Sequence, residues 1–305
     1  MKSTLHLFII WQTSLNKKDI VLKDLEEKYV IREVYEVTWI KDDFRNNLKR
    51  FYGDKLHNAS EKVDLCGNGS FLLILITDKN PKLEKKFLDD VNEVEINTNV
   101  YNSKMKYRKW IGVNYGLHAS NSEEETNHDL ILLLDKKIND LEKEIPEKWN
   151  GVIKKIESEL TGNKKWKSMK QFFNVLNLTT EYVVLRNFDD LPDKILYHDI
   201  DILTNNIKNM SSILNEDKSI IGKSPVKVAE KKILIDFRYQ QGHHYDEKWC
   251  KDILKRRIMT KNGFYIPSNE DYFYTLLHHA MVHKKIEQKY VEKLMEMAIK
   301  LEIKI

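Results

Sequence analysis

Cysteine is nearly absent from this chain of 305 residues, with one at Cys66 and one at Cys250. Two cysteines so far apart exclude a disulfide scaffold and a cysteine-rich zinc module, and they point to a reducing, cytoplasmic setting. Long apolar runs are also missing. The longest, such as Phe71–Ile76, have the length of buried strands, far below the ~18 residues that span a bilayer, so no membrane is expected as a partner. The early run Leu5–Trp11 is too short for the apolar part of a secretion signal, contains His6, and lacks a small-residue cleavage site after it. No charge of one sign dominates: 51 Lys and Arg against 47 Asp and Glu leave a net +4. With both signs intermixed, a histone-like polyanion binder is excluded and nucleic acid is an unfavoured partner. Proline, with five copies, and glycine, with ten, are scarce enough that their positions mark breaks.

The material for a fold is present. Hydrophobic residues make up 41% of the chain and charged residues 32%, which is enough apolar mass for packed cores. At roughly 100–200 residues per domain, the length predicts about two domains. Pro146, Gly151 and Gly162 fall in or beside a strongly charged stretch. It reads as a helix, a break and another helix. The expected division is a domain at 1–137, a charged helical linker at 138–165, and a domain at 166–305.

Hydrophobic periodicity sets the elements. In the first domain, strands are expected at Leu5–Trp11, Val30–Trp39 and Phe71–Thr77, the last after the turn Gly67-Asn68-Gly69. Helices are expected at Lys18–Lys28, Asp42–Tyr52 and Ser122–Leu134, with an irregular segment before the last. This is an α/β sandwich with helices on one face. The second domain reads as a helix at Lys167–Leu178, a strand at Tyr182–Leu185, a strand at Asp199–Leu203, a helix, a break at Pro225, a strand at Lys232–Tyr239, and a mostly helical remainder. Ser268 to Asp271 resembles a capping box opening a helix over Tyr272–Lys284.

The sharpest chemistry lies in His198-Asp199-Ile200-Asp201-Ile202-Leu203. Side chains alternate along a strand, so Asp199 and Asp201 share a face while Ile200 and Ile202 enter the core. Adjacent carboxylates repel each other and suit hard divalent cations. Asp236, in Ile233-Leu234-Ile235-Asp236-Phe237, joins them if the two strands are neighbours. Such a cluster can hold Mg²⁺, or Mn²⁺, for phosphoryl transfer. The plain alternative is an exposed strand end paired with Lys or Arg.

The span from Gln171 to Lys284 resembles the polymerase-β-type nucleotidyltransferase superfamily, whose pattern is a strand, a turn, a strand with two carboxylates and a later strand with a third. The resemblance implies that Asp199, Asp201 and Asp236 are catalytic metal ligands. It also implies that the turn at Arg186-Asn187 meets the nucleotide phosphates, with Arg186 contributing its side chain where the family usually has Gly-Gly or Gly-Ser. Transferases of the fukutin and phosphocholine-transferase kind use related carboxylate motifs.

A second signal is Gly116-Leu117-His118-Ala119-Ser120-Asn121-Ser122, followed by Glu123-Glu124-Glu125. A His ahead of an acidic helix start suits a nucleophilic imidazole, with Asp129 available to orient the ring. Most of residues 5–134 resembles the nucleoside-diphosphate kinases, whose signature reads His-Gly-Ser-Asp-Ser before a helix. That resemblance implies a ferredoxin-like βαββαβ domain, a catalytic His118, phosphate contacts from Tyr52, Thr98, Arg108 and Asp129, and a homo-oligomer assembled through this domain. The sequence departs from the family at Gln12, which stands where the family has a phosphate-binding Lys, and at Tyr115, which replaces the Asn before the His. One further phosphate Arg has no counterpart near Asn92. Two lost charge-assisted contacts are worth roughly 1.5–3 kcal/mol each.

The weaker signals have packing explanations. His279 and His283 lie four apart on a helix but lack the Glu of a metalloprotease. Gly242-His243-His244-Tyr245 follows the Asp236 strand. Lys255-Arg256-Arg257 suits a solvated face, and Tyr272-Phe273-Tyr274 suits a core.

Taken together, the expectation is an α+β protein of two domains. The first is nucleoside-diphosphate-kinase-like, and the second is a nucleotidyltransferase-like mixed sheet with a helical C-terminal part. The expected function is metal-dependent transfer of a nucleotidyl or substituted-phosphate group. The donor is an NTP or a nucleotide-diphospho compound, and the acceptor is a small-molecule or glycan hydroxyl. The alternatives are phosphotransfer through His118 and non-catalytic nucleotide binding by a regulatory protein.

Overall fold

Unbroken apolar runs need cover on both faces, and they become the central strands. The computed structural model describes residues 3–53, 56, 59–87, 93–195, 199–214, 223–239, 244–283 and 288–303. It is a mixed α/β protein that divides into two units, Met1–Thr161 and Gly162–Ile305.

In chain order the first unit holds β1 (Thr4–Ile10), α1 (Lys18–Lys28), β2 (Val30–Thr38), α2 (Phe44–Tyr52), α3 (Ala59–Cys66), β3 (Phe71–Asp78), β4 (Leu83–Phe87), β5 (Glu93–Asn97), α4 (Thr98–Ile111), β6 (Leu117–Ala119), α5 (Glu123–Leu134), α6 (Ile138–Leu141) and β7 (Lys154–Glu157). The main sheet runs β6-β1-β3-β2-β7. Among its first four strands each neighbouring pair is antiparallel. All eight residues of β3 are buried. Because alternate residues face opposite ways, both faces of the sheet are covered, which corrects the expectation of helices on one face. One core joins Phe8, Ile10, Leu72, Ile74 and Ile76 to Val21 and Leu25 of α1 and to Val100 and Tyr107 of α4. Trp11 centres an aromatic cluster, with ring centroids 4.7 Å from Phe71, 5.9 Å from Trp39 and 6.3 Å from Phe44.

Two further segments differ from expectation. The irregular stretch after β3 contains the β4–β5 hairpin, α4 and β6. The expected linker at 138–165 belongs largely to the first unit, because β7 pairs in parallel with β2. Its charged sequence suits an edge strand, where lysines discourage further pairing. Lys154 Nζ lies 2.6 Å from the buried Glu33 carboxylate.

His6 lies inside this unit. Its Nδ1 donates to the Ser120 carbonyl at 3.0 Å, and its Nε2 accepts from the Thr4 hydroxyl at 3.0 Å. Burial drives the imidazole down to about 4, against the partial opposition of the Ser120 bond and of Asp78 and Glu125. The unfolded chain therefore binds the proton more readily. Stability is complete above about pH 6.5 and is lost as the pH falls towards 4, by on the order of 3 kcal/mol. Urea denaturation at pH 7 and pH 4.5 should show this loss, and His6→Asn should reduce its pH dependence. Equal pH dependence in the variant would contradict the assignment.

The second unit holds α7 (Met169–Thr179), β8 (Tyr182–Val184), β9 (Asp199–Thr204), α8 (Ile207–Leu214), β10 (Lys223–Val228), β11 (Lys231–Tyr239), α9 (Glu247–Lys255), β12 (Ile258–Met259), β13 (Tyr265–Ile266), α10 (Asn269–His278) and α11 (Gln288–Lys300). Its main sheet runs β10-β11-β9-β8. Pro225 does not break the chain; it sits in β10, an edge strand, where a missing N–H is tolerated. One face packs Val183, Leu185 and Leu203 against Tyr245, Cys250, Ile253 and Leu254. Ser268 caps α10, its hydroxyl accepting from the Asp271 N–H at 3.1 Å. Among the described residues no helix is long and apolar enough to cross a membrane.

Candidate functional sites

In the second unit β9 and β11 are parallel neighbours, and Asp201 stands directly opposite Asp236. Asp199 lies two residues before Asp201, so all three carboxylates share one face of the sheet. Asp199 is exposed, while Asp201 and Asp236 are 4% and 7% exposed. The Leu185 N–H donates to the Asp201 carbonyl at 2.9 Å, which extends the β8–β9 pairing. The next residue, Arg186, reaches the Asp201 carboxylate with Nη2 to Oδ1 at 2.7 Å. Arg238, two residues beyond Asp236 on the same strand, forks onto that carboxylate with both terminal nitrogens, Nη2 to Oδ2 at 3.0 Å.

Asp201 holds its proton more tightly than an ordinary carboxylate. Burial is the main cause. Arg186 opposes it, and Asp199 and Asp236 add to it by repulsion. Tyr245 sits in the field of Arg186, Asp201 and Arg238, and burial pushes its phenol up to about 12. The His244 ring packs 4.5 Å from Tyr245 and 5.7 Å from His278. His198, Gly242 and His243 lie outside the described residues.

Asn187 follows Arg186 at φ 59, in the left-handed region. Asn tolerates that region better than any side chain except none at all. Asn187→Gly should leave stability unchanged or raise it by up to about 1 kcal/mol, whereas Asn187→Val should cost about 1–2 kcal/mol. Thermal melts of the two variants check this; equal effects would contradict it.

The donor set can be tested against a divalent cation. Three hard oxygen donors on one face suit Mg²⁺ or Mn²⁺. Asp201 is raised chiefly by burial; Arg186 and Arg238 oppose that, and Asp199 and Asp236 add to it. Two of those carboxylates are nonetheless turned onto arginines. Among the described residues no group of three or more metal-type side chains is gathered closely enough to hold an ion. The donor type would suit such a cation, but as placed two of the three carboxylates are held by arginines.

The first unit gathers a different set. His118 lies on β6 opposite Ile9 of β1, and Asp129 lies one helical stretch on, in α5. His118 Nε2 meets Asp129 Oδ2 at 2.7 Å, and His128 Nδ1 meets the other oxygen at 3.0 Å. Burial by itself would raise Asp129, but the charges and hydrogen bonds of His118 and His128 outweigh it and hold the carboxyl well below the usual range. Phe51 and Tyr52 pack edge-on to the His118 ring at 5.3 and 5.7 Å. Lys62 of α3 lies between two rings, 4.3 Å from Tyr52 and 4.2 Å from Tyr115, and burial lowers its amine to about 8. Lys104 Nζ donates to the Ala119 carbonyl at 2.8 Å, and Arg108 Nε to the Leu117 carbonyl at 3.1 Å, so both brace the strand that carries His118.

Of the residues expected here, Tyr52, Arg108, Asp129 and His118 come together. Thr98 is used locally, its hydroxyl donating to the Lys82 carbonyl at 3.1 Å. Gln12 is structural as well. Its Oε1 accepts from the N–H groups of Asn68 and Gly69 at 3.0 and 2.8 Å. A Cβ at Gly69 would collide with that carboxamide, which explains the glycine.

Sequence reading missed Lys62, Lys104 and Arg238. Lys104 stands i,i+4 to Arg108, but on a helix that the sequence reading took as irregular; Arg238 was legible as the residue two past Asp236 on a strand. The weaker signals are consistent with packing. His279 is buried beside Tyr290 at 5.7 Å. Arg256 pairs with Asp271 at 2.6 Å and Arg257 with Glu181 at 3.2 Å. No family model, curated protein or solved structure matches the chain.

Proposed function

We propose that the protein is a metal-dependent transferase of nucleotidyl or substituted-phosphate groups, acting through Asp199, Asp201 and Asp236. The observation that carries this reading is the in-register pairing of Asp201 with Asp236 on parallel neighbours, with Asp199 on the same face. The left-handed Asn187 next to Arg186 supports it, since a turn of that shape stands where nucleotidyltransferases place their glycines. In the first unit, the order β6-β1-β3-β2 supports a ferredoxin-like βαββαβ domain carrying α2 and α3 between its second and third strands.

Asp199, Asp201 and Asp236 would hold Mg²⁺ or Mn²⁺, which supplies Lewis-acid polarisation of the transferred phosphorus and charge neutralisation at the leaving oxygens. Arg186 binds the phosphates of the NTP or nucleotide-diphospho donor. Asp236, or His244, takes the proton of the acceptor hydroxyl as it attacks phosphorus. Tyr245, buried and in the field of Asp201 and its arginines, would help keep water from the site. Most of the rate enhancement is positioning and charge stabilisation, as in phosphoryl transfer generally. The test is product analysis of the protein with each NTP, Mg²⁺ and a panel of small-molecule and glycan alcohols. Release of pyrophosphate or a nucleotide that disappears in Asp201→Asn and persists in His118→Ala supports the reading. The reverse pattern overturns it.

The His118–Asp129 contact, with Lys62, Lys104 and Arg108 nearby, favours a second reading: phosphotransfer through His118. The carboxylate engages Nε2, which leaves Nδ1 as the nitrogen for phosphorylation. This reading requires a phosphoryl group on His118 after incubation with NTP, lost in His118→Ala.

A further inference from the structure

In the first unit three cations from two helices lie close to one another. Lys62 Nζ of α3 lies 4.3 Å from the Tyr52 ring and 4.2 Å from the Tyr115 ring, and the residue is 9% exposed. Two ring faces attract an ammonium but do not neutralise it. Among the described residues Lys62 has no ion pair. The groups that act on it are Arg108 and Lys104, which repel it, and the Cys66 thiol, which burial pushes up to about 12 and so keeps neutral. Arg108 and Lys104 share a face of α4 and brace the carbonyls of Leu117 and Ala119, on either side of His118. Arg108 spends its Nε on that bond and, among the described residues, has no ion pair. Tyr52 links the groups, since its ring meets both Lys62 and His118 and lies in the field of Arg108. Asp129, the carboxylate beside His118, is already shared by His118 and His128. Cations gathered in a half-buried place without a carboxylate partner are costly, and a bound anion removes that cost.

We propose that Lys62, with Arg108 and Lys104, binds the phosphoryl group of an anionic ligand between the two tyrosines and His118. Three donor groups from two helices suit an anion with three terminal oxygens and more than one charge; a carboxylate offers two oxygens and one charge. Tyr115 is exposed, so the cluster is open to solvent on that side. The inference is independent of the transferase reading, because it uses no metal ion and no residue of the second unit. It goes beyond the phosphotransfer reading by giving Lys62 a binding role that needs no transfer to His118. Burial and the two neighbouring cations lower the Lys62 amine to about 8. A bound anion favours the charged amine, so binding takes up a proton and weakens as the pH rises above 8.

The test is calorimetric titration of the full chain with inorganic pyrophosphate, in the presence of a chelator so that no metal ion takes part. Wild type should bind at pH 7 and more weakly at pH 9. Lys62→Met should bind at least ~10-fold more weakly at pH 7 and lose most of the pH dependence. Arg108→Gln should weaken binding likewise, and circular dichroism identifies whichever variant remains folded. Titration with ADP separates the two sources of the group: tighter binding than pyrophosphate marks a nucleotide, and equal or weaker binding marks a free phosphate anion. Malonate binding as tightly as pyrophosphate would overturn the phosphoryl assignment. No pyrophosphate binding by wild type, or binding unchanged in the folded variants, overturns the site itself. If pyrophosphate binds as expected and His118 gains no phosphoryl group from NTP, the inference stands and the phosphotransfer reading falls.

Discussion

Asp201→Asn is expected to lower group transfer from a nucleotide donor by at least about a thousandfold, or about 4 kcal/mol of transition-state stabilisation. The substitution removes a formal charge from the centre of the carboxylate face while keeping the side chain's size. A metal site that loses its middle ligand loses both the ion and its alignment of donor with acceptor. Folding should change little, because two effects oppose. Asn still accepts from Arg186, but as a weaker, neutral acceptor. Against that, the burial of a charged carboxylate, which is the main cause of the raised Asp201, and the lesser repulsion from Asp199 and Asp236 both disappear. Activity against each NTP, read beside a thermal melt, separates the two. A large fall in activity with a small shift in melting temperature is the expected result. Retained activity would contradict the assigned role.

Trp11→Ala should destabilise the first unit by about 3–5 kcal/mol. Trp11 is fully buried, and its ring meets Trp39, Phe44, Phe51, Tyr52 and Phe71. Removing it opens a cavity that five aromatic side chains cannot collapse to fill. The loss is a large fraction of the 5–15 kcal/mol that usually holds a domain together. It also reaches the imidazole, since Phe51 and Tyr52 pack on both Trp11 and His118. Trp11→Phe should cost much less. Urea denaturation of the two variants gives the comparison; equal small effects would mean the cluster is not the anchor of this unit.

How far the sequence foretold the structure depends on the kind of signal. Strands with unbroken apolar runs were legible: Phe71–Thr77 became β3, one residue longer, and Lys18–Lys28 became α1 with the same limits. Asp199, Asp201 and Asp236 were legible as strand residues because a period of two puts charges on one face and isoleucines on the other. The pairing of β9 with β11 was not, since register between distant strands is set by tertiary packing. The segment around α4 hid its helix because a helix buried against a sheet replaces polar-face residues with tyrosines and lysines that reach inward, as Tyr107 and Lys104 do. β7 was misread as helix because Lys154-Lys155-Ile156-Glu157 carries an edge strand's charges and no apolar alternation. Lys62 carries no motif at all. Its place between Tyr52 and Tyr115 comes from three separate elements meeting in space.

The most direct measurement is anomalous diffraction from crystals of the full chain soaked with Mn²⁺ and a non-hydrolysable nucleoside triphosphate. The account predicts a manganese peak bounded by Asp199, Asp201 and Asp236, with Arg186 against the triphosphate. A carboxylate face that keeps its arginine pairs and holds no manganese, with the nucleotide phosphates against His118 instead, would contradict it.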